Sequence, residues 1–359
     1  MTPANDKNKT GAGSRGNGPR TDTPPETTAA ESLARGIRAD SRSILITGAG
    51  GYIGRQLVAW LAREVSRFDH IVATDVRLPA PEARAPGIVF VEADVRDPQL
   101  AALLREHAID TVVHLAAIVT PVAGMPPDFE YSVDVLGTRN VLECCVAAGV
   151  RKFLYTSSGA AYGYYEDNPP LLVETDRIRG NDAFSYSRHK RLVEEMLAGW
   201  RLEHPELKQL ILRPGTILGE SVSNQITAMF ERPFVLGIRG SDSPFVFIWD
   251  HDVVGCLVRG LEENRDGIYN LAGDGVVTMP EVARRLGKPY VAVPACVLRG
   301  ALAVLHPLGV SPYGPEQVDF LRYRPVLSNA RLKSEFGYIP EKTSDEVFDL
   351  YMRSHGHRP

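Results

Sequence analysis

Ser43-Ile44-Leu45-Ile46-Thr47-Gly48-Ala49-Gly50-Gly51-Tyr52-Ile53-Gly54 joins a short apolar run to a glycine turn and then to a segment of helical spacing, Tyr52–Val65. A run of apolar residues with no polar alternation is the pattern of a strand buried on both faces. Gly48 permits the tight turn, Gly51 lets the backbone approach a bound group, and Gly54 lets helix and strand pack closely. The free N–H groups of the helix start then face any anion seated on the turn. The spacing is G-x-x-G-x-x-G, one residue wider than the commoner glycine fingerprint.

The alternation continues outward from this turn. Strands are expected at His70–Asp75, Ile88–Glu92, Thr111–Leu115, Lys152–Ser157 and Gln209–Arg213, with helices at Pro98–His107, Val133–Ala148 and Phe184–Trp200 between them. Short apolar strands separated by helices specify an α/β fold, a Rossmann-type doubly wound parallel sheet. Beyond Gly215 the alternation loosens. Strands at Phe245–Ile248 and Gly267–Leu271 and helices at Asp252–Glu262, Met279–Leu286 and Ser344–Met352 read as a smaller C-terminal substrate-binding lobe. The expected division is a disordered tail over 1–40, a dinucleotide-binding domain over 41–215, and a lobe over 216–359 with segments returning to the sheet. The tail carries almost no large apolar residue before Leu33, so it lacks the surface to offset the entropy of ordering.

Of the 359 residues 44% are hydrophobic, and the net charge is -4, which argues against nucleic acid or an anionic membrane as the main partner. No apolar stretch reaches the roughly 18 residues of a membrane span. The most apolar candidate, Ala295–Leu308, is interrupted by Arg299 and His306 and reads as a buried or groove-lining helix. Cys144, Cys145, Cys256 and Cys296 form no C-x-x-C pair. Reduced thiols, a cytoplasmic location and no metal are the expectations.

Asp75 ends the second strand. A carboxylate there can accept bonds from both adenosine ribose hydroxyls of NAD and repels the 2′-phosphate of NADP, with Arg77 the nearby cation able to soften that preference. Asp94, followed by Val95 at the end of the third strand, is in place to bond the adenine amine; the other role open to it, a helix cap for Pro98 onward, suits Asp97 better. Tyr186 and Lys190 lie one turn apart on a helix, so an ammonium faces a phenol and, together with a positive nicotinamide ring, favours its ionisation toward neutrality. Ser158 sits in the hydroxyl-rich loop Tyr155-Thr156-Ser157-Ser158-Gly159-Ala160-Ala161-Tyr162-Gly163, where Tyr162, Tyr164 and Tyr165 either line a pocket or anchor the loop.

Together these segments resemble the extended short-chain dehydrogenase/reductase family of NAD-dependent epimerase/dehydratase type. The resemblance runs from about Ser43 to Met352. It includes His114-Leu115-Ala116-Ala117, Gly137-Thr138-Arg139-Asn140, Arg213-Pro214, Trp249-Asp250-His251-Asp252, Tyr269-Asn270-Leu271-Ala272-Gly273 and Phe336-Gly337-Tyr338-Ile339-Pro340. It implies that Ser158 aligns the substrate oxygen, Tyr186 shuttles the proton, and Lys190 binds the nicotinamide ribose and depresses the pKa of Tyr186. Gly48, Gly51, Tyr52, Ile53, Gly54, Asp75, Asp94, Val95, Leu115, Ala116, Ala117 and Pro214 are then the further cofactor contacts. Members often dimerise through the helices corresponding to Val133–Ala148 and Phe184–Trp200, so a homodimer is a possible assembly.

Departures from the family pattern narrow the chemistry. Asp134 stands where the family usually has Asn. Gly159, Ala160 and Ala161 replace the acid–base pair of sugar-nucleotide 4,6-dehydratases, which argues against dehydration. Pro214–Gly219 lacks the Asn that often holds a diphosphate, whereas Arg322 and Arg324 lie where such enzymes place a phosphate-binding Arg, or are simply solvated cations. His189 and His114 read as structural, and Asp250 and Asp252 as helix caps rather than a metal cluster around His251. Three readings follow: an epimerase or oxidoreductase acting at a secondary alcohol or ketone of a sugar-nucleotide-like small molecule; a 3β-hydroxysteroid-dehydrogenase-like enzyme on a larger apolar alcohol; and a non-catalytic NAD-binding sensor. Relatives of the last kind typically lose the Tyr or Lys present here.

If the tail packs on nothing, deleting residues 1–40 leaves the melting temperature and NAD affinity unchanged. A drop of several degrees in a thermal melt would place the tail on the domain.

Overall fold

The computed structural model describes residues 42–119, 125–263, 265–311 and 314–356; the tail of the sequence reading lies outside them. Eleven strands are present among the described residues: β1 Ser43–Thr47, β2 His70–Asp75, β3 Val89–Glu92, β4 Thr111–His114, β5 Lys152–Thr156, β6 Lys208–Pro214, β7 Thr216–Leu218, β8 Val235–Ile238, β9 Phe247–Trp249, β10 Gly267–Leu271 and β11 Tyr290–Val293. Seven of them form one sheet in the order β10-β6-β5-β4-β1-β2-β3, and every pairing is parallel. The order reverses beside β1, between β2 and β4, which is where doubly wound sheets open a crevice at their carboxyl ends.

Alternation along the central strands distributes the core to both faces. Ile44, Ile46, Ile71 and Ala73 pack with Leu57 and Leu61 of the helix Tyr52–Arg63 and with Val253 and Leu257 of the helix Asp250–Glu262. Leu45 and Val72 point the other way, into Leu100, Leu104, Val141, Leu142, Val193 and Leu197. Residues with a period of two thus serve two helical layers, which is why these strands read as uninterrupted apolar runs.

The expected helix over Val133–Ala148 is two segments. A π-helical stretch, Ser132–Gly137, precedes the α-helix Thr138–Ala148. The Thr138 hydroxyl donates to the carbonyl of Asp134 at 2.6 Å within that stretch. The helix bearing Tyr186 and Lys190 runs Ser185–Glu203.

β10 leaves the lobe and pairs with β6 in the main sheet. The lobe has two small parallel pairs, β7 with β9 and β8 with β11, around a core that includes Phe230, Phe245, Phe247, Phe348 and Tyr351. The strand expected at Phe245–Ile248 begins two residues later, because Phe245 instead forms an isolated antiparallel bridge with Val277.

Two expectations need correction. The N-cap of the helix Asp250–Glu262 is Trp249, and Asp250 and Asp252 fall in its first turn, where Asp250 Oδ1 accepts from the His251 amide at 2.9 Å. The Asp250 carboxylate accepts from Tyr52 Oη at 2.5 Å and Gln56 Nε2 at 2.9 Å, tying the lobe to the glycine-turn helix. Asp252 accepts from Tyr338 Oη and the Glu341 amide. Both acids are buried; Asp250 divides its oxygens between these tertiary donors and the local amide, and Asp252 accepts from tertiary donors. The apolar segment at 295 is a helix, Ala295–Leu305, with no buried residue: Leu298 and Leu302 pack against the lobe while Val297 and Val304 face out. Cys296 on this helix is exposed, whereas Cys144, Cys145 and Cys256 are buried, and all four are free thiols. Among the described residues no helix is long and apolar enough to cross a membrane.

One ion pair lies deep between layers. Arg213 on β6 donates from Nη2 to Glu194 Oε2 at 2.6 Å and from Nε to Oε1 at 2.9 Å, with 4% and 1% of the two side chains exposed. Arg213→Met leaves the Glu194 carboxylate buried without its cation, so stability should fall by about 3–5 kcal/mol. Urea unfolding of the variant and the parent measures the difference.

Candidate active site

The glycine turn takes the shape its residues dictate. Gly48 has φ +68°, and its carbonyl accepts from the Gly51 amide at 3.0 Å. A Cβ on Gly48 would lie 2.6 Å from the Ala116 nitrogen, and one on Gly54 would lie 2.2 Å from the Gly48 oxygen. The helix Tyr52–Arg63 starts with no side-chain cap and no acid in its first turn, so its leading N–H groups face the cleft with their dipole uncompensated.

Above the carboxyl ends of β1, β4, β5 and β6 a cleft encloses about 420 Å³. Of the residues singled out from sequence, Gly48, Gly51, Tyr52, Ile53, Gly54, Leu115, Ala117, Ser158, Tyr186, Lys190 and Pro214 line it. Ala116 lies just behind, against Gly48. Asp75 stands at the glycine turn: its Oδ2 accepts from the Gly50 amide at 2.9 Å and its Oδ1 from the Arg77 amide at 3.3 Å. The carboxylate thus braces the turn as well as ending β2. Asp94 and Val95 stand apart from the cleft lining. Asp94 is held by the Arg96 guanidinium, which keeps its carboxyl below the usual range, and Val95 is packed in the core against Gly137.

Ser158 follows β5 and caps a short 3₁₀ turn, its hydroxyl accepting from the Ala160 amide at 3.1 Å. Tyr186 is half-buried at the cleft wall, and desolvation pushes its phenol up to about 12; the Ser158 hydroxyl opposes that rise and the Asp134 carboxylate adds to it. Lys190 Nζ donates to Thr156 O at 2.9 Å and Tyr155 Oη at 3.1 Å, and stands 5.7 Å from the Tyr186 ring centre. Burial pushes Lys190 down to about 8, against the raising effect of Asp134 and Glu194. The Thr156 hydroxyl, also on the cleft wall, is buried with no partner among the described residues.

The tyrosine set divides. Tyr164 lines the cleft. Tyr162 anchors the loop, its single hydroxyl proton lying between Asn270 Oδ1 at 2.9 Å and the Val173 carbonyl at 3.0 Å while its oxygen accepts from Arg213, and Tyr165 anchors it by donating to the Gly180 carbonyl. His114 is buried between two threonine hydroxyls, its Nδ1 2.7 Å from Thr47 and its Nε2 2.9 Å from Thr138. Because Thr138 spends its proton on Asp134 O, Nε2 carries the proton and Nδ1 accepts. Burial pushes this ring down to about 3, so it is neutral and structural.

Sequence reasoning left Arg324 undecided. It lines the same cleft, its guanidinium 3.9 Å from the Phe245 ring centre and 4.4 Å from that of Phe320. Its Nε and Nη2 are buried and have no hydrogen-bond partner among the described residues. It is not a solvated cation. Arg322 is one-third exposed and stacks on Tyr323. Phe184, Phe320, Val222 and Ile226 complete an apolar wall that no motif announced.

A doubly wound parallel sheet whose glycine turn opens into a cleft over the strand ends defines the class of dinucleotide-binding proteins. A model of the NAD dependent epimerase/dehydratase family matches residues 44–272. The chain belongs to that family, and NAD is its cofactor. Among curated relatives, an uncharacterized protein of Mycobacterium tuberculosis is 27% identical over 320 residues, covering 88% of this chain and 85% of its own. A UDP-glucose 4-epimerase of Mycolicibacterium smegmatis is 28% identical, covering 83% and 93%. Among solved structures, the UDP-glucose 4-epimerase of Thermus thermophilus in complex with NAD shares the fold with a TM-score of 0.67 at 23% identity, covering 88% of this chain and 99% of that one.

The bracing of the turn by Asp75 gives a test of cofactor choice. The parent should bind NAD more tightly than NADP, and Asp75→Ala should narrow the gap, because the charge facing the 2′ position is gone. Arg77→Ala should narrow it far less. Calorimetric titration of both cofactors against the three proteins reads this directly, and tighter NADP binding by the parent would overturn the role of Asp75.

Proposed function

We propose that this chain transfers hydride at a secondary alcohol or ketone carbon of a sugar-nucleotide-type substrate, as an epimerase or oxidoreductase. The observation that carries the reading is Arg324, a half-buried guanidinium whose Nε and Nη2 are buried without a partner among the described residues, in the same cleft as Ser158, Tyr186 and Lys190. Burial pushes it down to about 10, so at neutral pH it is still a cation. A buried unpaired charge is costly, and a diphosphate would supply the missing acceptors while displacing no existing bond. The UDP-glucose 4-epimerases among the relatives support the same substrate class.

The residues present fit NAD. The glycine cradle, which Cβ atoms at Gly48 and Gly54 would fill, and the uncapped helix start would hold its pyrophosphate. Asp75 would take the adenosine ribose, with Asp94 and Val95 toward the adenine. Lys190 would take the nicotinamide ribose, with Leu115, Ala116, Ala117 and Pro214 beside the ring. Bound NAD supplies the hydride acceptor and donor. Ser158 aligns the substrate oxygen. Tyr186 gives its proton to that oxygen when the carbonyl carbon gains hydride, and takes it back when the alcohol is oxidised. The half-buried, neutral phenol suits the first role, and the positive charges of Lys190 and the oxidised cofactor favour the second. The turn after Ser158 holds Gly159, Ala160 and Ala161, all buried, and offers no acid–base pair for eliminating water.

The apolar wall of Phe184, Phe320, Val222 and Ile226 supports a second reading, oxidation of a larger apolar alcohol. Assays with NAD and either UDP-glucose and UDP-galactose or a sterol alcohol separate the two. The expected result is conversion of the sugar nucleotides, with turnover lower by roughly 10²–10⁴ in Tyr186→Phe while NAD still binds, and a raised KM in Arg324→Met. Near-normal turnover in Tyr186→Phe would overturn the mechanism. Turnover of the sterol alone would select the second reading.

A further inference from the structure

Between Val291 and Pro315 the sequence has no Asp, Glu or Lys, a single arginine, Arg299, and a single histidine, His306. The helix in this stretch, Ala295–Leu305, has no buried residue. Its inner side chains Leu298 and Leu302 are half-buried in one apolar cluster with Phe184, Tyr186, Ile226 and Phe320 of the cleft wall. The rest of it meets solvent. Val297 is 58% exposed and Val304 60%, and in the turn that follows Leu308 is 67% exposed and Val310 68%. Arg299 is spent on Asp319 of the neighbouring helix Gln317–Arg322, 2.6 Å away. Apolar residues scattered singly over a surface are ordinary, whereas a contiguous run marks a place of interaction.

The shape of the exposure decides what can cover it. Ala303, Val304, Leu305 and His306 are consecutive and all exposed. Successive residues of an α-helix point about 100° apart, so these four look out over most of the circumference. A rigid partner meets a helix along one side. One side of this eleven-residue segment, about 16 Å long, falls well short of the roughly 800 Å² per partner that a stable dimer buries. Residues 1–41 offer no cover either, since their large apolar residues are Met1, Leu33 and Ile37 alone. A fluid apolar medium, by contrast, can surround a ridge.

We infer that the helix Ala295–Leu305, with the turn to Val310, is a docking element that lies in the interface of a phospholipid bilayer and holds the protein at its surface. Interfacial helices sink about 5–10 Å, to the boundary of headgroups and acyl chains. Val297, Val304, Leu305, Leu308 and Val310 would enter that layer while Leu298 and Leu302 stay on the protein. The attraction is apolar burial rather than charge, because the helix lacks the basic face that ties other interfacial helices to anionic lipid, and the chain carries a net charge of -4. Zwitterionic lipid is therefore sufficient, and salt has little effect. The helix's inner residues belong to the cleft wall, so the docked protein holds its cleft beside the lipid.

Docking does not depend on the substrate or on turnover, so the test uses the full chain and vesicles alone. The parent, the double variant Val304→Glu/Leu308→Glu, and Leu202→Glu are each floated with phosphatidylcholine vesicles at low and at high NaCl. Leu202 is 85% exposed on a different helix, Ser185–Glu203, and controls for the loss of any surface leucine. None of the three positions is buried, so thermal melts of the variants should match the parent. The parent should float at both salt concentrations and Leu202→Glu should float with it. The double variant should partition to the vesicles at least roughly tenfold less, because two side chains lose their apolar burial. A parent that stays below the vesicles overturns the inference, as does a double variant that floats equally well. Flotation that requires phosphatidylglycerol and disappears at high salt overturns it too. Sedimentation velocity then assigns the surface: an assembly of the parent that the double variant loses would give it to a second copy of this chain, against the inference.

Discussion

Arg213 and Glu194 join the parts of the molecule that have to agree for the cleft to exist. The arginine leaves β6, and the carboxylate belongs to the helix Ser185–Glu203 that carries Tyr186 and Lys190. Glu194 also accepts from the Ser157 hydroxyl, one residue before Ser158. The remaining guanidinium nitrogen donates to Tyr162 Oη at 2.8 Å and to the Glu174 carbonyl at 3.1 Å. The Glu174 side chain in turn accepts from the Asn270 amide on β10. One buried pair therefore sets the height of the helix over the sheet, the exit of the serine loop and the docking of the returning strand. Each nitrogen of the guanidinium and each oxygen of the carboxylate finds a partner, the condition under which a buried ion pair is tolerated.

With that frame fixed, the cleft holds its charges in an unusual balance. Lys190 and Arg324 are both desolvated cations, and neither touches a carboxylate. Their tasks differ accordingly. Lys190 retains neutral acceptors, whereas Arg324 is stacked between aromatic rings that fix its plane and leave its Nε and Nη2 without partners among the described residues. Aromatic stacking orients a guanidinium without consuming its donors, so its hydrogen bonds stay available to a ligand.

The sheet was legible because its information is local. Ile44, Leu45, Ile46 and the glycines that follow encode strand, turn and helix within a few residues, and Tyr186 with Lys190 needs only the helical period. The smaller lobe was harder to read. Its strands β7, β8, β9 and β11 have three or four residues each, and β7 pairs with β9, and β8 with β11, across long stretches of chain. Asp250 and Asp252 fit a cap by local rule, yet found their donors on Tyr52, Gln56 and Tyr338, which no local pattern places nearby. Arg322 and Arg324 are indistinguishable by composition; only the positions of Phe245 and Phe320 separate them.

The thiols give this protein a built-in attachment point. Three of the four cysteines are enclosed, and burial raises their pKa, so they are poor nucleophiles toward a soluble reagent. Cys296 is open to solvent on the helix Ala295–Leu305, whose inner residues Leu298 and Leu302 share a cluster with Phe184, Tyr186 and Phe320. A maleimide dye added to the native chain therefore reports from one defined spot on the outer wall of the cleft, without any engineered substitution.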